Sequence, residues 1–482
     1  MLELNNPYRK NKINLADYDY QKDIQNRMMM ARLSPEDLEI LEEILYSPPK
    51  LSIAELVESV EHDEDVVRNT LEILQIADLF NLDNDTIIVN KEMRKYFETQ
   101  ILKFEEGFTP GMEFLQALLR KVPIHVLPTW YPIPRTSDNI FEAIVEKYLV
   151  TPQTYHRYLM ELNFGDEVLT GIVKDVFEAE DFRLPSEKIF AKYNLSPEQF
   201  EECMLYLEFN FVCCLVYTKK NGKWQQVVTP FHEWREYLRF GHDNAAKKIT
   251  DPTDLVRYRP SDFAFVDDIT ALLDLASDVE INVALDAQEH WIADPASVSK
   301  ITDVIHDFDL NDDLSKAEFN YYFSKLIKKI LFLKLAYIAE GVLKVSESTD
   351  DWLNLQIERR ALSIYKHTIM HIDRDELPAD VASERSIHEI EKALPTLFDK
   401  GWIYYDDFFA GLTIPLSEES RVTLKKVGRY WRYTLPNYSD QEQTLIRKVI
   451  LEWLFEAGIV AIATHNGKQA FRVTALGEKI FG

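Results

Sequence analysis

The sequence predicts a mainly α-helical fold interrupted by small β-hairpins, with one helix-and-hairpin unit repeated about four times along 482 residues. Three observations carry this. First, four stretches share one order: an apolar helix end, a hairpin, a strand closing on Val plus a small polar residue, and a short helix. They read "LEILQIADLFNLDNDTIIVNKEMRKYF", "LYLEFNFVCCLVYTKKNGKWQQVVTPFHEWREYL", "KILFLKLAYIAEGVLKVSESTDDWL" and "LEWLFEAGIVAIATHNGKQAFRVTALGEKIF". Second, the closing pairs Val89-Asn90, Val228-Thr229, Val345-Ser346 and Val473-Thr474 put a side-chain oxygen where a new helix needs its free amides capped. Third, the second and fourth stretches share N-G-K-x-x-x-x-V-T-x-x-x-E, from Asn221 to Glu233 and from Asn466 to Glu478. Asn-Gly favours a two-residue hairpin turn because both positions need positive φ.

Taken in order, residues 1–33 read as a polar arm with a small basic cluster, Arg9, Lys10 and Lys12. Residues 34–100 form a first module, with apolar positions at helical spacing in "EDLEILEEIL", "IAELVESV" and "VVRNTLEILQIA". Residues 101–165 are a helical connector whose prolines 123, 128, 132 and 134 impose an extended loop; Trp130 and Tyr131 are expected to pack on a neighbouring module. A second module spans 166–245. The third, 246–375, carries an insertion and a trailing helix, and the fourth, 376–482, a basic-aromatic insertion. Ser-x-x-Glu/Gln capping boxes are expected at Ser52/Glu55, Ser196/Gln199, Ser315/Glu318, Ser386/Glu389 and Ser439/Glu442.

Three helices followed by a hairpin is the layout of a helix-turn-helix with a wing, and here the sequence resembles the winged-helix superfamily over most of its length. A narrower likeness lies in "VLKVSESTDDWLNLQIERRALSIYKHT" and "GIVAIATHNGKQAFRVTALGEKIF". These resemble bacterial winged-helix proteins related to the N-terminal part of XPB-type helicases. The resemblance implies association with nucleic-acid machinery and supplies no catalytic residue. There is no G-x-x-x-x-G-K-[ST], so an ATPase would have to be a separate chain.

Composition narrows the classes. With 54 basic and 81 acidic side chains the formal charge is −27. Such a chain repels phosphate backbones at long range unless its cations cluster, and membrane-surface binding is disfavoured likewise. Cys203, Cys213 and Cys214 make no disulfide framework and fit a reducing cytoplasm. The opening "MLELNNPYRKNKINLADYDYQKD" has no apolar core of the signal-peptide kind. "LIKKILFLKLAYIAEGVL" holds three lysines and a glutamate, which excludes a membrane span. The expectation is a cytoplasmic protein.

Catalysis finds no foothold, and no cofactor or metal is expected. "DFDLNDDLSKAE", from Asp307 to Glu318, places oxygen ligands as a calcium loop does. Its sixth position is Asp312 where the sharp turn wants Gly, and Glu318 is taken as the capping partner of Ser315, so calcium is rejected. His367 and His371 stand four apart without a third ligand. Neither a G-x-G-x-x-G fingerprint nor a nucleophile elbow is present.

Nucleic-acid contact is expected, if anywhere, in the C-terminal half. The third helices of the first two modules, "DEDVVRNTLEILQIA" and "SPEQFEECMLYLEF", are acidic and are assigned to protein contact. The third module's "KAEFNYYFSKLIKKILFLK" offers Lys325, Lys328 and Lys329. The fourth carries "RVTLKKVGRYWRY", with Arg421, Lys425, Lys426, Arg429 and Arg432 among aromatics and no acid, a composition suited to backbone contact plus stacking. The expected function is a non-enzymatic factor in a nucleic-acid transaction, transcription-regulatory or helicase-associated. The alternative is an acidic protein–protein scaffold without DNA contact.

Overall fold

The computed structural model describes residues 12–133, 139–220, 222–305, 313–370, 377–378, 380–428 and 430–482, with the side chains of 313, 314, 367 and 370 outside that description. The fold is mainly helical with small antiparallel sheets of two to four strands. Two units compose it: residues 1–242 with 422–434, and residues 243–421 with 435–482.

The first unit opens with α1 (Tyr20–Met30), inside the stretch read as a polar arm. It buries Ile24 and Met30, and with them Asp23, Asn26 and Arg27. The first repeat follows. Ser34 and Asp37 form a capping box at α2 (Pro35–Tyr46), with Pro35 at the position where its missing N–H costs nothing. Next come β1 (Lys50–Ser52), α3 (Ile53–Val60) under the expected Ser52/Glu55 box, and α4 (Glu64–Gln75). The hairpin β2 (Phe80–Asp83) and β3 (Thr86–Val89) leads to α5 (Lys91–Ile101), whose cap is Asn90 as expected. In the sheet the order is β1-β3-β2, so the strand before the two helices pairs with the last strand.

Connector helices α6 (Met112–Leu119), α7 (Leu127–Trp130), α8 (Ile140–Ile144) and α9 (Pro152–Glu161) come next. Trp130 and Tyr131 are buried: the indole donates to Asp17 at 2.7 Å and the phenol to the Phe209 carbonyl at 2.6 Å. The second repeat comprises α10 (Glu167–Glu178), β4 (Leu184–Pro185), α11 (Ser186–Tyr193), α12 (Pro197–Phe209), β5 (Cys213–Lys220), β6 (Lys223–Pro230) and α13 (His232–Asp243). Its sheet order, β4-β6-β5, repeats the first.

In the second unit, β7 (Leu255–Arg257) precedes α14 (Ala264–Asp278), the small hairpin β8 (Val283–Leu285) and β9 (Trp291–Ala293), α15 (Pro295–Val304) and α16 (Asp313–Phe332). Then come β10 (Ala336–Ala339), β11 (Val342–Val345), α17 (Thr349–Leu353) and α18 (Ile357–Met370). A bridge between Asn282 and Val342 sets residues just before β8 beside β11, again the first-third-second arrangement, with the β8–β9 hairpin as an insertion. The fourth copy holds α19 (Glu384–Glu391), β12 (Ile403–Tyr404), α20 (Tyr405–Ala410), the hairpin β13 (Leu424–Val427) and β14 (Tyr430–Tyr433), α21 (Asp440–Lys448) and α22 (Leu454–Glu456). It ends in β15 (Val460–His465), β16 (Lys468–Val473) and α23 (Ala475–Phe481), with sheet order β12-β16-β15-β7. The β13–β14 insertion belongs to the first unit, although the sequence around it belongs to the second.

The expected strand-to-cap junction holds at Val89-Asn90 and Val473-Thr474. At Asn466 and Gly467, φ of 50° and 72° supply the two left-handed residues of the predicted turn; Asn221 lies outside the described residues. Elsewhere the junction differs. β6 pairs along its whole length, Pro230 opposite Cys213, so Thr229 lies inside the strand and the helix waits until His232. Ser346 donates to the Lys334 carbonyl at 2.5 Å instead of capping α17. The boxes at Ser196 and Ser439 form, whereas Ser383 rather than Ser386 caps α19, and Ser315 lies within α16.

Thr474 is 2% exposed; its hydroxyl donates to the Gly458 carbonyl at 2.6 Å and accepts the Gly477 amide at 3.3 Å. Thr474→Val keeps the shape and removes both bonds. Equilibrium urea unfolding of this variant should show a loss of about 1–3 kcal/mol.

Candidate nucleic-acid interface

An isolated two-stranded hairpin is marginal in water, so β13–β14 needs a surface to sit on. It finds one within the first unit. The Leu424 amide donates to the Val150 carbonyl at 2.7 Å, and the Tyr433 hydroxyl donates to the Leu149 carbonyl at 2.8 Å. Leu424 is buried, Trp431 meets Phe141 edge-on at 6.1 Å, and Tyr433 packs on Trp234 and Tyr237.

Register then decides what faces outward. Leu424 pairs with Tyr433 and Lys426 with Trp431, and these four share the seated face. Lys425 pairs with Arg432 and Val427 with Tyr430, forming the opposite face, where Tyr430 is 76% and Val427 44% exposed. Placing Lys425 directly opposite Arg432 is unfavourable, because like charges across a strand pair repel. Among the described residues, Lys425, Lys426 and Arg432 have no ion-pair partner; all three are exposed. Arg421, at the edge of the insertion, pairs with Glu418 at 2.9 Å, and Arg429 lies outside the described residues.

Beneath the hairpin's seat, Glu233 is a buried carboxylate at the start of α13. One oxygen accepts the Met112 amide at 2.9 Å and the other has no hydrogen-bond partner among the described residues. Burial pushes its pKa up to about 7, against the lowering effect of that amide. Folding therefore retains a proton that the unfolded chain releases near pH 4.5. Stability should fall as pH rises from about 4.5 to about 7 and then level off, a change on the order of 3 kcal/mol. Glu233→Gln keeps the acceptor oxygen. It should match the wild type near pH 4 and melt at a higher temperature than the wild type at pH 8.

The other predicted basic set is arranged differently. Lys325 lies 2.5 Å from Glu452 and 3.4 Å from Glu456, and Lys329 lies 3.2 Å from Glu456. Burial lowers the Lys325 pKa, yet Glu456 and Glu452 outweigh it and hold the ammonium above its ordinary range. Lys328 is half-buried on the same helix. The charge of Lys325 and Lys329 is thus engaged inside the second unit, while the hairpin cations are open.

Of the two acidic third helices, α12 buries its apolar side chains and two of its acids. Phe200, Met204, Leu205, Leu207 and Phe209 are buried, and so are Glu201 and Glu208. Arg27 of α1 bonds Glu201 at 2.7 Å and Glu208 at 2.7 Å. α4 keeps a solvent face along its length. The first unit also presents basic residues that the sequence reading passed over: Lys219, Lys220 and Lys223, at the tip of β5–β6, are exposed, with Lys219 6.0 Å above the Trp224 ring. Their signal, "TKKNGKW", lay inside the turn motif and was read as turn chemistry alone.

The calcium-like loop from Asp307 lies largely outside the described residues, as do His371 and the His367 side chain. Among the described residues, no three His, Cys, Asp or Glu side chains are grouped to hold a metal ion, and no helix is long and apolar enough to cross a membrane. Burial pushes the Cys203 thiol up to about 12, well above the reactive range. No protein-family model matches the chain, and neither a curated protein nor a solved structure matches it.

Proposed function

We propose that this chain is a non-enzymatic, cytoplasmic nucleic-acid-binding factor built from four winged-helix modules, and that it touches the nucleic-acid backbone through the outward face of β13–β14. The recurring sheet order, with the strand before the two helices pairing to the last strand, supports the module reading. One observation carries the interface: Lys425 and Arg432 stand opposed, unpaired and exposed, beside a 76% exposed Tyr430. Phosphates would neutralise the pair, and Tyr430 would offer a ring on which a base stacks. The role would be transcription-regulatory or helicase-associated.

Binding of a fluorescent single-stranded or duplex oligonucleotide, followed from 25 to 200 mM salt, tests the reading. Few phosphates would be neutralised, so affinity should be weak and sequence-tolerant, and two phosphate contacts would lose about 40-fold in affinity across that salt range. Absence of binding at the lowest salt would favour the scaffold reading. That second reading has its own support: residues 34–100 hold seventeen acidic against five basic side chains, a concentration opposed to phosphate.

A further inference from the structure

We infer that the solvent face of α4 is a docking surface for a basic polypeptide segment that carries apolar side chains one helical turn apart. The apolar stripe of α4 packs inward through Val67, Leu71 and Leu74. Opposite that stripe stand Asp65, Asn69, Glu72, Ile73 and Ile76, all exposed. Ile76 is 81% and Ile73 38% exposed, and their spacing of three brings them together on one face. Leu82 on the neighbouring strand β2, an open edge of its sheet, is a further 37% exposed apolar residue.

Charge identifies the occupant. The face's one cation, Arg68, is held by Glu64 at 2.7 Å and Asp85 at 3.4 Å, which leaves Glu72 beside the isoleucines and Asp65 two turns nearer the helix start. Counting all residues from 34 to 100, acids exceed bases by twelve, close to half the chain's −27 in about a seventh of its length. A nucleic acid is repelled here and an acidic or neutral helix gains nothing from the rim. A Lys/Arg-rich segment gains both, through apolar anchors on Ile73 and Ile76 and long-range attraction that speeds encounter. The equivalent helix α12 offers no such surface, because its apolar side chains are inside.

The test uses the full chain and a labelled 18-residue peptide of Leu and Lys with leucines at helical spacing, beside an equally charged peptide in which Ser replaces Leu. Anisotropy is read at 150 mM salt. A photo-crosslinking residue at Asn69, and separately at exposed Glu202 on α12, locates the contact. The expected result is crosslinking at 69 and not at 202, with at least tenfold weaker binding in Ile73→Ser/Ile76→Ser and for the Ser peptide. Both isoleucines are surface residues, so this variant should fold; circular dichroism checks it. Equal binding of the two peptides, equal binding by the double variant, or no binding would each overturn the proposal. A concentration-dependent dimer in sedimentation velocity that the double variant abolishes would overturn it in favour of a second copy of this chain. Loss of oligonucleotide binding by hairpin variants leaves these readouts unchanged, so the two proposals fail separately.

Discussion

Arg27→Met should lower the stability of the first unit by about 3–5 kcal/mol, because it removes the guanidinium that two buried carboxylates share, and Lys103, 3.6 Å from Glu208, compensates one of them in part. The side chains of Arg27, Glu201 and Glu208 are 3%, 2% and 0% exposed. The guanidinium spans both acids, Nε to Glu201 and Nη1 with Nη2 to Glu208, while Leu215 N and Gln226 Nε2 donate to oxygens of the same two acids. Burial alone would raise the Glu208 pKa, but Arg27 and Lys103 outweigh it and bring it down to about 2. Its contribution is therefore complete above the unfolded value near 4.5 and lost as pH falls from there to about 2. For a unit of this size the loss in Arg27→Met corresponds to a drop on the order of 10 °C in melting temperature. Lys22→Met, which breaks the exposed pair with Asp78, should cost no more than about 1 kcal/mol. Calorimetry of both variants checks the contrast. Similar small shifts in the two would mean that water reaches the Arg27 cluster.

Lys425→Glu/Arg432→Glu should abolish oligonucleotide binding wherever the wild type binds. The substitution converts two attractive charges into two repulsive ones on a single face, and it leaves Leu424, Trp431 and Tyr433 on their seat. Opposed glutamates replace opposed cations, so the repulsion inside the hairpin is similar before and after, and the melting temperature should move by no more than a few degrees. Arg68→Glu is the control: that side chain is tied to Glu64 and Asp85 and should not contribute to nucleic-acid binding. Wild-type affinity in the double variant, once folding is verified, would remove the hairpin from the interface.

The hairpins were legible where local chemistry is sufficient. Asn-Gly in the last copy fixes a turn by its φ values alone, and Ser52, Ser196 and Ser439 cap helices through contacts within four residues. What escaped depends on distant partners. Arg27 sits in a stretch that looks like a solvated arm, and only contact with α12, more than 170 positions away, makes it interior. Glu201 and Glu208 of α12 look like part of a surface stripe for the same reason. Lys325 and Lys329 read as an open basic face until Glu452 and Glu456, over a hundred residues on, arrive beside them. The 421–432 run was legible as basic and aromatic, but not which of its side chains would point outward. That depended on strand register, which separates Lys425 and Arg432 from Lys426 and Trp431.

A photo-crosslinking amino acid at position 430 reports the hairpin contact itself, since Tyr430 is 76% exposed on the outward face. Irradiated with a labelled oligonucleotide at 50 mM salt, this variant should form a covalent adduct, whereas the same amino acid at exposed Val256 should form none. An oligonucleotide complex that shifts in a gel yet crosslinks from neither 430 nor the seated neighbour Lys426 would remove the hairpin from the interface and place the contact elsewhere.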